Sequence, residues 1–216
     1  MKLGCLGCLV VAIGLMFLAV VSGGFLFLSG NIFEEPKFDR PEWSRADASS
    51  ARFKLAELVQ RDAGHSGRQD PIILSEPEVN ALVARHLAET IGLRFDPFAI
   101  RLVQGQFMLQ GRSVVSNLLQ GPPFAQLAHQ LPAAQLNRPI WITARGSIAL
   151  EPGEPGGKPG RARVTLTEFT LGRQPLGTWP FFILMGPTGY GLLKWPVPGT
   201  ARDIEIEDRR VLIRTR

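Results

Sequence analysis

The sequence predicts an α+β protein: an N-terminal transmembrane helix followed by helices packed on a curved, largely antiparallel sheet. Three observations predict it. Residues 3–30 carry no charged side chain. Apolar residues recur at helical spacing in two stretches between residues 46 and 87. From Phe98 onward the apolar period changes to two, the spacing of strands with one buried face.

The first element is the run LGCLGCLVVAIGLMFLAVVSGGFLFL, Leu3 to Leu28. About 20 apolar residues span a bilayer core, so this run crosses with some tilt. An uncleaved signal anchor is the favoured reading. Its rival is a cleaved signal peptide, with small residues at Ser22, Gly23 and Gly24; against cleavage, the apolar run continues through Phe25–Leu28. The short N-terminal tail with Lys2 stays in the cytoplasm, which places the rest of the chain in the periplasm or outside the cell. The expected location is the inner (cytoplasmic) membrane, as a single-pass protein. Cys5 and Cys8 lie inside the apolar run with no histidine nearby, and read as small apolar filler rather than as a metal or redox pair.

Three parts are expected: a cytoplasmic tip and transmembrane anchor over 1–30, a juxtamembrane linker over 31–45, and an extracytoplasmic α+β domain over 46–216. Pro36 and Pro41 favour extended linker backbone, and Trp43 suits the headgroup level. The stripe Ala51, Leu55, Leu58 and Val59 predicts a helix over about 46–62, ended by Gly64–Gly67. In ILSEPEVNALVARHL, residues 73–87, Ser75 and Glu78 form a capping box, and Val79, Leu82, Val83 and Leu87 mark one buried face. Glu76 and Glu78 complement the helix dipole in the first turn, which explains both without catalysis. A hairpin is expected over 98–111, strands over 139–150 and 161–170, and a closing hairpin about Asp208. Along 139–150 the alternation sets Ile140, Ile142, Ala144, Gly146 and Ile148 against Trp141, Thr143, Arg145 and Ser147.

Two apolar blocks interrupt the strands. Residues 118–136 hold Pro122-Pro123 and then Phe124 and Leu127 at helical spacing. Residues 176–198 read LGTWPFFILMGPTGYGLLKWPVP, with one charge, Lys194. This surface is buried either as solid core or as the lining of a hydrophobic cavity. In the second case Trp179, Phe181, Phe182, Leu184 and Met185 line a hydrophobic-ligand site, with Phe124 and Leu127 as a movable lip. Such charge-poor aromatic density is what apolar pockets require.

Catalytic patterns are missing from the sequence. His65, His86 and His129 lie in unrelated settings without metal-ligand spacing, and Ser113 has no GxSxG context. The glycine-rich stretch 153–160 lacks a GK[ST] ending and reads as a hairpin loop. No catalytic residue, metal site or cofactor is therefore expected. The net charge of +5 comes from scattered arginines. Arg145, Arg161 and Arg163 form one expected patch on the polar sheet face, suited to anionic lipid rather than to nucleic acid.

Two segments carry a resemblance. ILSEPEVNALVARHL has a serine and acid followed by an asparagine, Asn80, at a helix start. FTLGRQPLGTWPFFILM, residues 169–185, has a strand ending in Leu-Gly and then a proline-led apolar helix. Together they resemble the YpmS-like family of uncharacterised bacterial membrane-anchored proteins. Here Gly177-Thr178-Trp179 precedes Pro180, and the block 118–136 is added. The resemblance implies one N-terminal transmembrane helix, an exported α+β domain and no established enzyme activity. It further implies a sheet wrapped around helices, similar to tubular lipid-binding domains. The expected function is that of a non-enzymatic envelope protein that binds a lipid or other hydrophobic ligand. The alternative is a structural or interaction protein recruiting an envelope protein partner. The expected partners are the membrane, a lipid and an envelope protein.

Overall fold

The computed structural model describes residues 33–39, 41–118, 132–151, 160–178, 181 and 193–215. Over these residues the chain is α+β, with antiparallel strands throughout. The predicted transmembrane segment lies outside them.

Helix α1 runs Arg45–Asp62. Ser44 caps it, accepting from the Asp47 N–H while the Asp47 carboxylate accepts from the Ser44 N–H at 2.7 Å. Ala51 and Leu58 face the core. Strand β1, Ile72–Ser75, feeds directly into α2, Glu76–His86, whose Ser75/Glu78 capping box forms as the sequence predicts. A π-helical turn, Leu87–Ile91, ends α2 at Gly92, which takes φ 76°. Glycine is favoured there because left-handed backbone crowds any Cβ.

The hairpin of β2 (Phe98–Val103) and β3 (Gln106–Val114) follows. Short helices α3 (Val115–Leu118) and α4 (Ala133–Leu136) lead to the long strands β4 (Pro139–Glu151) and β5 (Gly160–Leu171). The two-residue strand β6 (Gln174–Pro175) and β7 (Lys194–Val197) both pair with β5. Strands β8 (Ala201–Glu207) and β9 (Arg210–Thr215) form the closing hairpin. One sheet has the order β2-β3-β4-β5-β6 with β7 beside it, and the other has the order β1-β9-β8.

Strand β1 was hidden in the sequence because it is four residues long and its partner is the chain's last strand, with Ile72 opposite Ile213. Short segments that pair only at long range carry little local pattern. Strand β7 likewise falls inside the apolar block 176–198.

The core has two parts that meet at Phe95. One gathers Ala51, Leu58, Leu74, Leu87, Ile100 and Ile213 between the helices and the three-stranded sheet. The other gathers Ile140, Ile142, Phe169, Leu171 and Phe181 on the large sheet. Trp141 sits on the face predicted to be polar yet is buried, because Phe38 covers it with ring centroids 4.9 Å apart. The stretch 33–39 therefore lies along the sheet. Arg173 pairs with Glu34 at 2.9 Å, Arg101 with Asp39 at 2.5 Å, and the Arg138 guanidinium stacks on the Phe33 ring at 3.6 Å.

Candidate functional site

The site begins at the edge of the large sheet. An edge strand exposes backbone donors and acceptors that must be satisfied or covered. On β2 the covering element is the start of α2. Fully buried Asn80 donates through Nδ2 to the Ile100 carbonyl at 2.7 Å and accepts the Ile100 N–H at 2.6 Å. Its second Nδ2 proton goes to the Glu76 carbonyl at 2.9 Å. One asparagine side chain thus acts as the next strand for residue 100. At residue 102, Glu76 Oε2 accepts the Leu102 N–H at 2.8 Å, and the Arg209 N–H donates to the Leu102 carbonyl at 3.1 Å.

Glu78 fixes α1 to the same corner. Its carboxylate accepts from Ser50 Oγ at 2.5 Å, Lys54 Nζ at 2.8 Å and the Ser75 N–H at 2.7 Å. Burial raises its pKa. The Lys54, Ser50 and Ser75 hydrogen bonds and the Lys54 charge outweigh that, leaving Glu78 below the usual carboxylate value. The local capping reading of Glu76 and Glu78 was therefore correct but incomplete, since both also hold distant elements.

Held this way, α1 and α2 flank a groove of about 1120 Å³. Its α1 wall is Arg45, Ala48, Ser49 and Arg52, and its other wall is Ala81, Ala84 and Arg85 of α2 with Ala88 of the π-helical turn. Phe95, Pro97 and Phe98 line it from the strand side, and Pro41 and Trp43 from the start of the domain. The alanines and the serine cannot fill the space between two helices as larger apolar residues would, and the arginines extend to the solvent. The volume is on the scale of small-molecule sites, roughly 300–1,000 Å³. A second hollow of about 500 Å³ shares Arg94, Phe95 and Asp96 with it.

Apolar walls with a charged rim define its chemistry: Arg45, Arg52, Arg85 and Arg94 stand there with the carboxylates Glu42, Glu89 and Asp96. Arg85 is paired with Glu89 at 2.8 Å. The hydrogen bond from Arg85 lowers the Glu89 pKa, burial opposes it, and the charges of Arg85 and Arg52 add to the lowering. Arg45, Arg52 and Arg94 have no ion pair among the described residues. Such a groove suits an amphiphile: a hydrocarbon portion on the alanine and phenylalanine walls, and an anionic group at the guanidiniums.

Of the predicted ligand-binding residues, Phe181 alone lies within the described residues. It is buried and meets Phe169 edge-on at 5.7 Å, within the core of the large sheet. Trp179, Phe182, Leu184, Met185, Phe124 and Leu127 lie outside the described residues, as does His129. His65 is exposed, and the His86 ring lies 5.4 Å from Trp195. Ser113 Oγ donates to the Arg94 carbonyl at 2.8 Å, a structural role. The expected basic patch is largely neutralised: Arg145 pairs with Glu168 at 3.3 Å and Arg163 with Glu151 at 2.5 Å. Among the described residues no group of His, Cys, Asp or Glu is placed to hold a metal ion. Nor is any described helix long and apolar enough to cross a membrane.

The groove residues were missed because each looks ordinary alone. Their signal was spacing: Ala48, Ser49 and Arg52 on one helix, and Ala81, Ala84, Arg85 and Ala88 at the other, repeat at three and four residues. Comparison of the chain with known protein families, with curated proteins and with solved structures finds no match.

Proposed function

We propose that this protein is a non-enzymatic bacterial envelope protein whose extracytoplasmic domain binds a lipid-like amphiphile in the groove between α1 and α2. The observation that carries the reading is the groove itself: about 1120 Å³, alanine and phenylalanine on its walls, and a rim of four arginines and three carboxylates in which Arg85 is taken by Glu89. In this proposal residues 3–30 anchor the chain in the cytoplasmic membrane as a single span, and the α+β domain stands on the outer side. Membership of a YpmS-like group belongs to the same proposal, supported by the Ser75-Glu78-Asn80 pattern at the start of α2.

Native mass spectrometry of the full chain, released from membranes in mild detergent, tests the proposal. The wild type carries a lipid-sized adduct. Ala84→Trp, which fills the groove, folds but loses it. A ligand-free wild type, or an adduct retained by Ala84→Trp, would count against the groove.

A second reading, a structural protein that recruits an envelope partner, draws on one observation. Phe181 packs into solid core, so part of the aromatic block contributes stability rather than a site. A reproducible protein crosslink in intact cells, together with an empty groove, would favour it.

A further inference from the structure

The face of α1 turned away from the core combines basic and apolar side chains. Arg45, Ser49, Arg52, Ala56 and Val59 follow one another at steps of three and four, so they form one stripe along the helix. All five are exposed, and Phe53 beside them is 76% exposed. Val59 is 59% exposed, and Trp43, just before the helix, 42%. Trp43 and Phe53 are amphipathic or apolar rings beside the two arginines, the residue types that favour a membrane-water interface.

The carboxylates of α1 are all engaged away from this stripe. Asp47 closes the capping box with Ser44, Glu57 pairs with Arg61 at 2.7 Å, and Asp62 accepts the Thr200 N–H at 2.8 Å. The stripe itself is thus positive and apolar; the nearest acids are Glu89, which the Arg52 charge reaches, and Glu42 before Trp43, both on its groove side. That combination, with Trp and Phe at its margin, matches the anionic headgroup layer of a bilayer. The chain also keeps the domain close to such a surface. Phe33, stacked under Arg138, follows the charge-free segment by three residues, a tether of about 10 Å at full extension.

We infer that the outer face of α1 docks on an anionic bilayer surface, with Phe53 and Trp43 at headgroup depth and Arg45 and Arg52 on lipid phosphates. The inference rests on the proposed anchor for proximity but not on a ligand in the groove. Docking places one wall of the groove, Arg45 and Arg52, against the lipid.

The test uses the full chain with Cys5→Ala and Cys8→Ala, and a fluorophore attached through Ala56→Cys. Single copies are placed in nanodiscs of phosphatidylcholine, or of the same lipid with about 30% phosphatidylglycerol, the anionic class that attracts basic segments. Iodide quenching at position 56 falls in the anionic discs and not in the neutral ones. The same label through Thr167→Cys, on exposed β5, stays quenchable in both. Arg45→Ala with Arg52→Ala reduces the docked-to-undocked ratio about 25-fold, at about fivefold per arginine. Phe53→Ser reduces it about tenfold. Equal quenching in the two lipids, equal shielding at 167, or shielding only with two chains per disc would overturn the inference. The last result would assign the face to a second copy. If the chain does not insert, adding it to vesicles of the same two compositions gives the same readout, so failure of the anchor and failure of the face are told apart.

Discussion

Replacing Asn80 by alanine isolates the device that closes the sheet edge. The side chain is fully buried and makes three hydrogen bonds, two of them to Ile100 backbone groups with no strand beside them. Removing it leaves the Ile100 N–H and C=O buried and unpaired, at about 1–3 kcal/mol each. A small cavity adds to that. The expected loss is about 3–5 kcal/mol, a large share of the roughly 5–15 kcal/mol that stabilises a domain. In melting temperature this is a fall of roughly 6–20 °C for a domain of this size. Asn80→Asp fares no better, because a carboxylate accepts from the Ile100 N–H but cannot donate to the two carbonyls. Chemical denaturation followed by tryptophan fluorescence gives the stability, and hydrogen exchange at Ile100 gives the local opening. A loss below about 1 kcal/mol in Asn80→Ala, with the Ile100 amide still protected, would refute the edge-closing role.

Glu78 sets an acid limit. Its folded pKa lies below the usual 4.5, so its contribution is present above that value and is lost as pH falls through the folded pKa. Glu78→Gln is therefore less stable at neutral pH and shows a flatter acid limb in a pH series of melting temperatures. Gly146→Ala strains β4 beside the bulge that Thr167 makes in β5, because a Cβ would lie 2.4 Å from the Thr165 carbonyl oxygen; a loss of about 1–3 kcal/mol is expected by thermal unfolding. Phe38→Ala uncovers Trp141, so the tryptophan emission shifts to the red and acrylamide quenching rises. Arg94→Ala weakens binding of an anionic amphiphile severalfold while leaving the melting temperature close to wild type, checked by titration with a fluorescent fatty acid.

What could be read from sequence was what local chemistry determines. Both long helices, the Ser75 capping box, the hairpin at 98–114 and the closing hairpin follow from period and turn residues near in the chain. Strand β1 and the burial of Trp141 could not be read, because they depend on Ile213 and Phe38, each far away in sequence. Which arginines are paired depends on the fold in the same way: those at 145 and 163 look free until Glu168 and Glu151 are brought beside them. The sequence drew attention to aromatic density around 179–185. The groove is instead opened by small residues between the helices, Ala48, Ser49, Ala81, Ala84 and Ala88, whose importance is the volume they do not occupy. That property belongs to two packed helices rather than to either alone.

The central claim is that a lipid-like ligand sits between α1 and α2, and photocrosslinking tests it most directly. A diazirine-bearing phospholipid supplied to the full chain, followed by peptide mapping, should label residues 43–52 and 81–98. Filling the groove with Ala84→Trp should remove that label. Labelling confined to residues 124–127 and 179–185, or undiminished in Ala84→Trp, would contradict the claim.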